Sequence, residues 1–165
     1  TAALALGDAL AVALLDARGF SPDDFARSHP GGSLGRRLLT HVRDVMRAGK
    51  LVPAVSPTTG ITDSIVAMSR GGLGLVAVPP PENVVLGLFT DGDLRRAFEQ
   101  RIDLQQGNIA SVMHSSPRTI GPDRLAVEAV ETMERLRINA LLVVDADNHL
   151  IGALNMHDLF TAKVI

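Results

Sequence analysis

The sequence predicts an α+β fold built from two copies of one βαββα unit that are related by a pseudo-two-fold axis. The first observation is an internal repeat: GLFTDGDL at residues 87–94 returns as GALNMHDL at residues 152–159, sixty-five positions later. The second is that the preceding segments also match, at a spacing of 65 or 67, back to Val42 and Ile109. One such unit has too small a sheet to cover its helices, whereas two pack sheet against sheet and bury both apolar faces.

Each unit is predicted to run strand, helix, strand, strand, helix. After a short extended piece, a helix carries apolar residues at helical spacing, namely Ile61, Ile65 and Met68 in the first copy and Ala126, Ala129, Val130 and Met133 in the second. The next strands are expected at 75–78 and 84–89, and at 140–144 and 150–154, and the repeated motif opens the last helix. The methionines at positions 46, 68, 113 and 133 match between copies and are expected in the core.

Residues 1–39 do not share the repeat. Residues 4–14 place apolar side chains on more than one helical face, and Gly19 is a stop signal. Such a helix needs a covering surface, which we expect from a preceding part of the protein or from a partner chain. Ser21 is predicted to cap the next helix. The chain begins at Thr1 inside this apolar pattern and is interpreted as a piece of a longer protein.

Two interpretations fit residues 28–37, SHPGGSLGRR. In the first, the segment is a connector in which Ser33 caps a short helix. In the second, His29 is presented in a site, beside glycine N–H groups and two arginines, Arg36 and Arg37, that favour a phosphate.

Composition excludes several function classes. The chain is 46% apolar with five Phe and no Trp or Tyr, so its core is aliphatic. A net charge of −2 gives no electrostatic case for nucleic acid or an anionic membrane. The absence of Cys excludes disulfides and thiolate chemistry and fits a cytoplasmic protein. The apolar window 1–15 is too short to span a bilayer, and the five His show no zinc-site spacing, so no metal is expected in the repeats.

The repeated motif indicates a nucleotide site. A helix start offers unpaired N–H groups and a positive dipole end to a phosphate, and an acid one turn in accepts hydrogen bonds from sugar hydroxyls. The candidate acids are Asp93 in the first copy and Asp158 in the second. The structural alternative is that the acids only interact with the helix dipole, which is worth about 0.3–1 kcal/mol.

Four neighbouring residues are weaker candidates for the same site. Arg95 and Arg96 are interpreted as a solvated helix face, and the alternative is that one of them reaches a ligand phosphate. His114 and His157 are secondary ligand candidates.

The duplicated pattern over residues 42–165 resembles a tandem pair of CBS domains, a family of adenosine-nucleotide-sensing modules, with domains at 42–100 and 109–165. In that family the Thr or Ser of the motif contacts phosphate or ribose, and the Asp holds the ribose hydroxyls. The resemblance assigns these roles to Thr90 and Asp93, and to Asn155 and Asp158. Asn155 departs from the family pattern, because an amide has a different reach from a hydroxyl.

The leading segments narrow the resemblance. TAALALGDALAV at 1–12 and SHPGGSLGRRLL at 28–39, followed by the CBS-like pair, are similar to the arabinose 5-phosphate isomerases. That family interconverts D-ribulose 5-phosphate and D-arabinose 5-phosphate and feeds the synthesis of Kdo for lipopolysaccharide. The resemblance implies that residues 1–39 are the last helices of an α/β sugar-isomerase (SIS) domain and that His29 is a candidate acid–base group.

The same resemblance implies partners and ligands. The missing SIS domain would complete the active site, so this chain alone is expected to be inactive. A homo-oligomer is expected, with a regulatory nucleotide such as AMP, ATP or CMP-Kdo. The alternative is a ligand-free CBS pair that acts only as an oligomerisation scaffold.

Overall fold

The computed structural model describes residues 2–21, 24, 39–79 and 87–165, which fall into two compact units, Thr1–Leu39 and Thr40–Ile165. In the first unit, α1 (Ala2–Ala17) has no buried side chain. Ser21 makes the hydrogen bonds expected of the predicted cap: its Oγ accepts the Asp24 N–H at 3.2 Å, and Asp24 Oδ2 accepts the Ser21 N–H at 3.0 Å. His29 and the segment 28–37 lie outside the described residues.

The second unit contains the two predicted copies of the βαββα unit. The first comprises α2 (Val42–Val45), β1 (Arg47–Ala48), a 3₁₀ turn (Gly49–Leu51), α3 (Ile61–Gly71), β2 (Leu75–Val78), β3 (Gly87–Thr90) and α4 (Asp91–Glu99). The second comprises a 3₁₀ turn (Ile109–Ser111), β4 (Thr119–Ile120), α5 (Ala126–Leu136), β5 (Ala140–Val144), β6 (Leu150–Asn155) and α6 (Met156–Thr161). The strand predicted at 84–89 is described from Gly87 and continues to Thr90.

The two copies exchange their leading segments. One sheet has the order β1-β6-β5-β4, so β1 of the first copy pairs with the second copy, with Arg47 opposite Ala153. The reciprocal contact is an antiparallel bridge between His114 and Leu88 of β3, in the sheet formed by β2 and β3. A second reciprocal pair of bridges joins His41 to Leu125 and Asn108 to Gly60. The contacts are reciprocal, in agreement with the predicted pseudo-two-fold relation, but the sequence did not predict the exchange itself.

The glycine of each motif is required for this exchange. A Cβ on Gly152 would lie 2.6 Å from Met46 Sδ and 2.9 Å from the carbonyl oxygen of Arg47. Gly87 approaches Met113 in the same way. Any side chain at these positions would push away the segment that crosses from the other copy.

The core is aliphatic, as composition predicted, except for the fully buried Phe89 on β3. Because side chains alternate across a strand, each sheet has one face for helices and one for the other sheet. The central cluster between the sheets is formed by Val52, Leu73, Leu75, Ala77, Leu88, Leu142, Leu150 and Ala153. The outer clusters pack α3 on β2 and β3, and α5 and α6 on β5 and β6. Met68 and Met133 are buried, and the other two matched methionines are partly buried against the outer clusters.

The turn between β5 and β6 holds a carboxylate cluster. Asp145 Oδ1 accepts the backbone N–H groups of His149 at 2.8 Å and Asp147 at 3.0 Å. The hydrogen bond from the His149 N–H lowers the pKa of Asp145 below its ordinary value. Ligand atoms of these three side chains lie within 4.8 Å of one another. The hydrogen bonds of the turn account for this proximity, and the expectation that the repeats bind no metal stays a prediction.

Candidate functional site: a cavity between the two repeats

A cavity of about 630 Å³ lies where the two repeats meet. Both motif turns line it, through residues 90–93 in the first copy and 155–157 in the second. The remaining lining comes from Leu88, from Arg96, from the helix-to-strand connections at 72–74 and 137–140, and from His114, Pro117 and Arg118. Small-molecule sites commonly have volumes of roughly 300–1,000 Å³, so the cavity has the size of a ligand site.

Thr90 and Asp93 form a capping box at the start of α4. The Thr90 N–H and hydroxyl donate to Asp93 Oδ2 at 2.8 and 2.6 Å, and the Asp93 N–H donates to Thr90 Oγ1 at 3.3 Å. Asp93 is 8% exposed and is the only buried charged residue in the described part of the chain. Carboxylates are rarely buried without partners, and here the cap supplies them.

Asn155 and Asp158 form the same capping box at the start of α6. Asn155 Oδ1 accepts the Asp158 N–H at 2.9 Å, and Asp158 Oδ2 accepts the Asn155 N–H at 3.2 Å. The Asn155 amide also donates to the carbonyl oxygen of Leu73 in the other repeat, at 3.4 Å. Both motif acids therefore have a structural role in capping their helices, and only the atoms that the caps do not use are available to a ligand.

One amide at the start of α4 remains available to an anion. The Asp91 N–H donates to the Gly74 carbonyl oxygen at 3.2 Å, and the Asp93 N–H is used by the cap. The Gly92 N–H has no hydrogen-bond partner among the described residues. Of the amides predicted to bind an anion at this helix start, only the Gly92 N–H is available, and it lies beside Arg96.

Positive charge is concentrated along the cavity. Arg96 Nη2 donates to Asp93 Oδ1, with an arginine side chain that is 63% exposed. Arg118 and Arg137 also line the cavity, and neither takes part in an ion pair between described residues. Unpaired guanidinium groups in a cleft favour an anionic ligand, phosphate above all.

Sequence reasoning missed Arg118 and Arg137, although the repeat carried a signal for them. Arg137 corresponds to Gly72 at the spacing of 65. Arg118 corresponds to the segment 51–53 at spacings of 65 to 67, and that segment contains no charged residue. Both arginines are thus cations that one copy has and the other lacks. Of the weaker candidates, Arg96, His114 and His157 line the cavity, whereas Arg95 does not.

The four predicted ligand residues are not placed alike. Thr90, Asp93 and Asn155 line the cavity. Asp158 is not among its lining residues, because its carboxylate lies against Arg47, whose Nη2 is 2.9 Å from Asp158 Oδ1. The two motif copies share a chain trace but differ in what faces their acids.

The profile of the CBS domain family matches residues 42–100 and 109–164, so the chain belongs to the CBS domain family. Solved CBS structures share the fold. The CBS domain protein PAE2072 from Pyrobaculum aerophilum, complexed with AMP, has a TM-score of 0.65 at 23% identity, over 72% of this chain and 89% of that chain. The CBS domain pair of protein MJ0100, in complex with 5-methylthioadenosine and S-adenosyl-L-methionine, has a TM-score of 0.66 at 16% identity, over 74% of this chain and 98% of that one.

The relatives by sequence are arabinose 5-phosphate isomerases. The chain is 52% identical to KdsD of Pseudomonas aeruginosa and 47% identical to KdsD of Escherichia coli K12, in both cases over all 165 residues. It spans about half the length of these relatives, 51% and 50%. Within the described residues, none of the helices combines the length and apolarity needed to cross a membrane.

Proposed function

We propose that this chain is the nucleotide-sensing CBS module of an arabinose 5-phosphate isomerase, and that the cavity between the repeats is its nucleotide site. The observation that carries the proposal is that both motif turns and the buried Asp93 line one ligand-sized cavity, together with two arginines that form no ion pair with any described residue. A nucleotide combines an anionic phosphate with a vicinal diol. The arginines of the cavity suit the phosphate, and the carboxylate of Asp93 suits the diol.

In the proposed complex, Asp93 accepts hydrogen bonds from the ribose hydroxyls and the Gly92 N–H contacts phosphate. The diol replaces Arg96 at Asp93 Oδ1, which costs little because Arg96 is largely exposed and exposed ion pairs are weak. Arg96 is then free to turn to the phosphate. Thr90 keeps the carboxylate in place through the cap and presents its hydroxyl at the cavity wall.

Arg118 and Arg137 extend the positive surface and suit a ligand with more than one anionic group. Among the ligands expected from the sequence, AMP and ATP are supported by the adenosine ligands of the solved relatives. CMP-Kdo carries a phosphate and a carboxylate, and it is a downstream product of the sugar phosphate that the related isomerases form. The Asn155 amide, which replaces the hydroxyl of the motif, is the further residue that distinguishes this site.

For the whole protein we propose the isomerisation of D-ribulose 5-phosphate and D-arabinose 5-phosphate in the cytoplasm, on the strength of the 52% identity to KdsD. Proton transfer between C1 and C2 through an enediol needs a base that titrates near neutrality, which is the role proposed for His29. The phosphate-holding and remaining polar groups would come from the SIS domain or from another subunit of a homo-oligomer.

The test is equilibrium dialysis of the 165-residue chain against AMP, ATP, CMP and CMP-Kdo. Because the chain has no Trp or Tyr, the near-ultraviolet absorbance of a bound nucleotide is read over a weak protein background. We expect at least one of the four to bind, with an affinity that falls as salt is raised. No binding of any of them would favour the scaffold interpretation, in which the pair serves oligomerisation alone.

Matched arginine variants localise the binding. Arg118→Ala removes a charge-assisted hydrogen bond to phosphate worth about 1.5–3 kcal/mol, so affinity should fall by roughly 10- to 100-fold. Arg137→Gly, which installs the residue of the first copy and tolerates the left-handed backbone at φ 54, should act in the same direction. Arg135→Ala is the control, because Arg135 is exposed and does not line the cavity. Equal losses in all three variants would place the ligand elsewhere.

A further inference from the structure

We propose that Arg47 closes the cleft related to the nucleotide site by pseudo-two-fold symmetry, so that one chain binds one nucleotide. The inference rests on the proposed function of the Asp93 cleft. It concerns the second motif, where the sequence predicts an equivalent site at Asp158.

The repeat spacings and the strand pairing identify the residues that correspond. Asp93 corresponds to Asp158 at the spacing of 65, and His114 corresponds to Arg47 at the spacing of 67. The pairing agrees, because His114 lies opposite Leu88 as Arg47 lies opposite Ala153. Each motif acid is therefore faced by the leading segment of the other copy, with His in one cleft and Arg in the other.

Arg47 is held by three hydrogen bonds inside its cleft. Its Nε and Nη2 donate to Asp158 Oδ1 at 3.1 and 2.9 Å, and its Nη1 donates to the carbonyl oxygen of Gly71 at 3.1 Å. The side chains are 27% and 14% exposed, for Arg47 and Asp158 respectively. The guanidinium thus takes the carboxylate oxygen that a ribose diol would need, and anchors it to the end of α3 as well.

The partner of the acid in the first cleft is of a different kind. Arg96 makes one contact to Asp93 from the same helix, and its side chain is 63% exposed. A ligand diol that displaces Arg96 takes its place at Asp93, and the guanidinium that is released is already exposed to solvent. Displacing Arg47 breaks three hydrogen bonds, two of which join the two repeats, and leaves a guanidinium and a carboxylate without their partners.

The second cleft also lacks the cations of the first. Arg96 corresponds to Thr161, Arg137 corresponds to Gly72, and the segment opposite Arg118 is uncharged. With Arg47 committed to Asp158, the three arginines of the first cleft have no counterparts that would hold a phosphate. Sequence divergence between the copies has turned one cleft into an internal ion pair.

The experiment is calorimetric titration of the 165-residue chain with AMP, ATP, CMP and CMP-Kdo, measuring the number of sites per chain. Wild type should bind one nucleotide. Arg47→Ala and Arg47→His open the cleft, the second by installing the residue of the first cleft, and should add a second site. Arg43→Ala is the control: Arg43 also pairs across the repeats, with Asp123 at 2.8 Å, but at the exposed surface, and the count should stay at one.

The outcomes separate this inference from the proposed function. The inference is overturned if wild type has two binding sites, or if both Arg47 variants fold and each has only one. If neither variant folds, the number of sites in wild type alone decides whether the inference holds. Binding only in an Arg47 variant supports the inference and refutes the proposed Asp93 site. No binding in any variant overturns both. In wild type, the NMR signal of the Arg47 Nε–H should persist at saturation, and its loss would mean that the nucleotide displaces Arg47.

Discussion

The glycine that opens each motif has a structural role that a single substitution tests. Gly152 lies on β6 where β1 crosses from the other copy, and its φ is not in the left-handed region. Gly152→Ala would place a Cβ 2.9 Å from the carbonyl oxygen of Arg47 and 2.6 Å from Met46 Sδ. The methionine is flexible and can move, but the backbone oxygen cannot move without opening the pairing of β1 with β6.

The magnitude follows from that overlap. A contact at 2.9 Å is roughly half an ångström inside ordinary van der Waals distance, and overpacking of this kind costs about 1–3 kcal/mol. Alanine also restricts the unfolded chain, which offsets about 0.4–1 kcal/mol. Gly121→Ala isolates the clash, because a Cβ there meets only Arg124 Cγ, at 3.8 Å, and the unfolded-state gain is the same.

The assay is thermal unfolding followed by circular dichroism. We expect Gly152→Ala to unfold below Gly121→Ala by about 2–12 °C, at ~2–4 °C per kcal/mol for a chain of this size. Because the displaced segment carries Arg47, the variant should also loosen the ion pair with Asp158. Equal midpoints for the two variants would show that the motif glycine does not serve the exchange.

Two further predictions concern the motif caps and the β5–β6 turn. Thr90→Ala should lower the free energy of unfolding by about 0.5–2 kcal/mol, because it removes the cap of α4. Thr90→Asn should keep the free energy of unfolding near that of wild type, because Asn155 already caps α6 in the second copy. Chemical denaturation measures both variants, and an equal loss in Thr90→Asn would contradict the capping role. Asp145 has a lowered pKa in the folded chain, so its contribution to stability is present above the ordinary carboxyl range and lost as pH falls through the folded-state pKa. NMR titration should find the pKa of the Asp145 carboxyl below its ordinary value, and a pKa at or above that value would refute the turn's hydrogen bonding.

Much of the fold was predictable from the sequence because it occurs twice. The spacing of 65 aligns the left-handed helix ends at Gly72 and Arg137 as well as both motifs, so each copy corroborates the other. The exchange of leading segments was not predictable in the same way. Periodicity reports which face of a strand is buried, whereas the identity of the neighbouring strand depends on long-range pairing. The role of the motif glycine was missed for that reason.

The site was predictable only in part, for the same physical cause. Thr90, Asp93 and Asn155 come from motifs that are local in sequence, and all three line the cavity. The residue that lies opposite each motif acid belongs to the other copy and is distant in sequence. Arg47, for example, is separated from Asp158 by 111 positions.

The exchange also determines which leading segment lines the proposed nucleotide site. In the proposed complex, a nucleotide at Asp93 would meet His114 and Arg118, on the segment that leads into the second repeat. The segment that leads into the first repeat, next to the boundary at Leu39, instead places Arg47 on Asp158. Regulation requires a ligand that binds two arrangements with different affinity. Under the proposed function, a variant that frees Arg47 would therefore place a second nucleotide against the segment that leads into the first repeat.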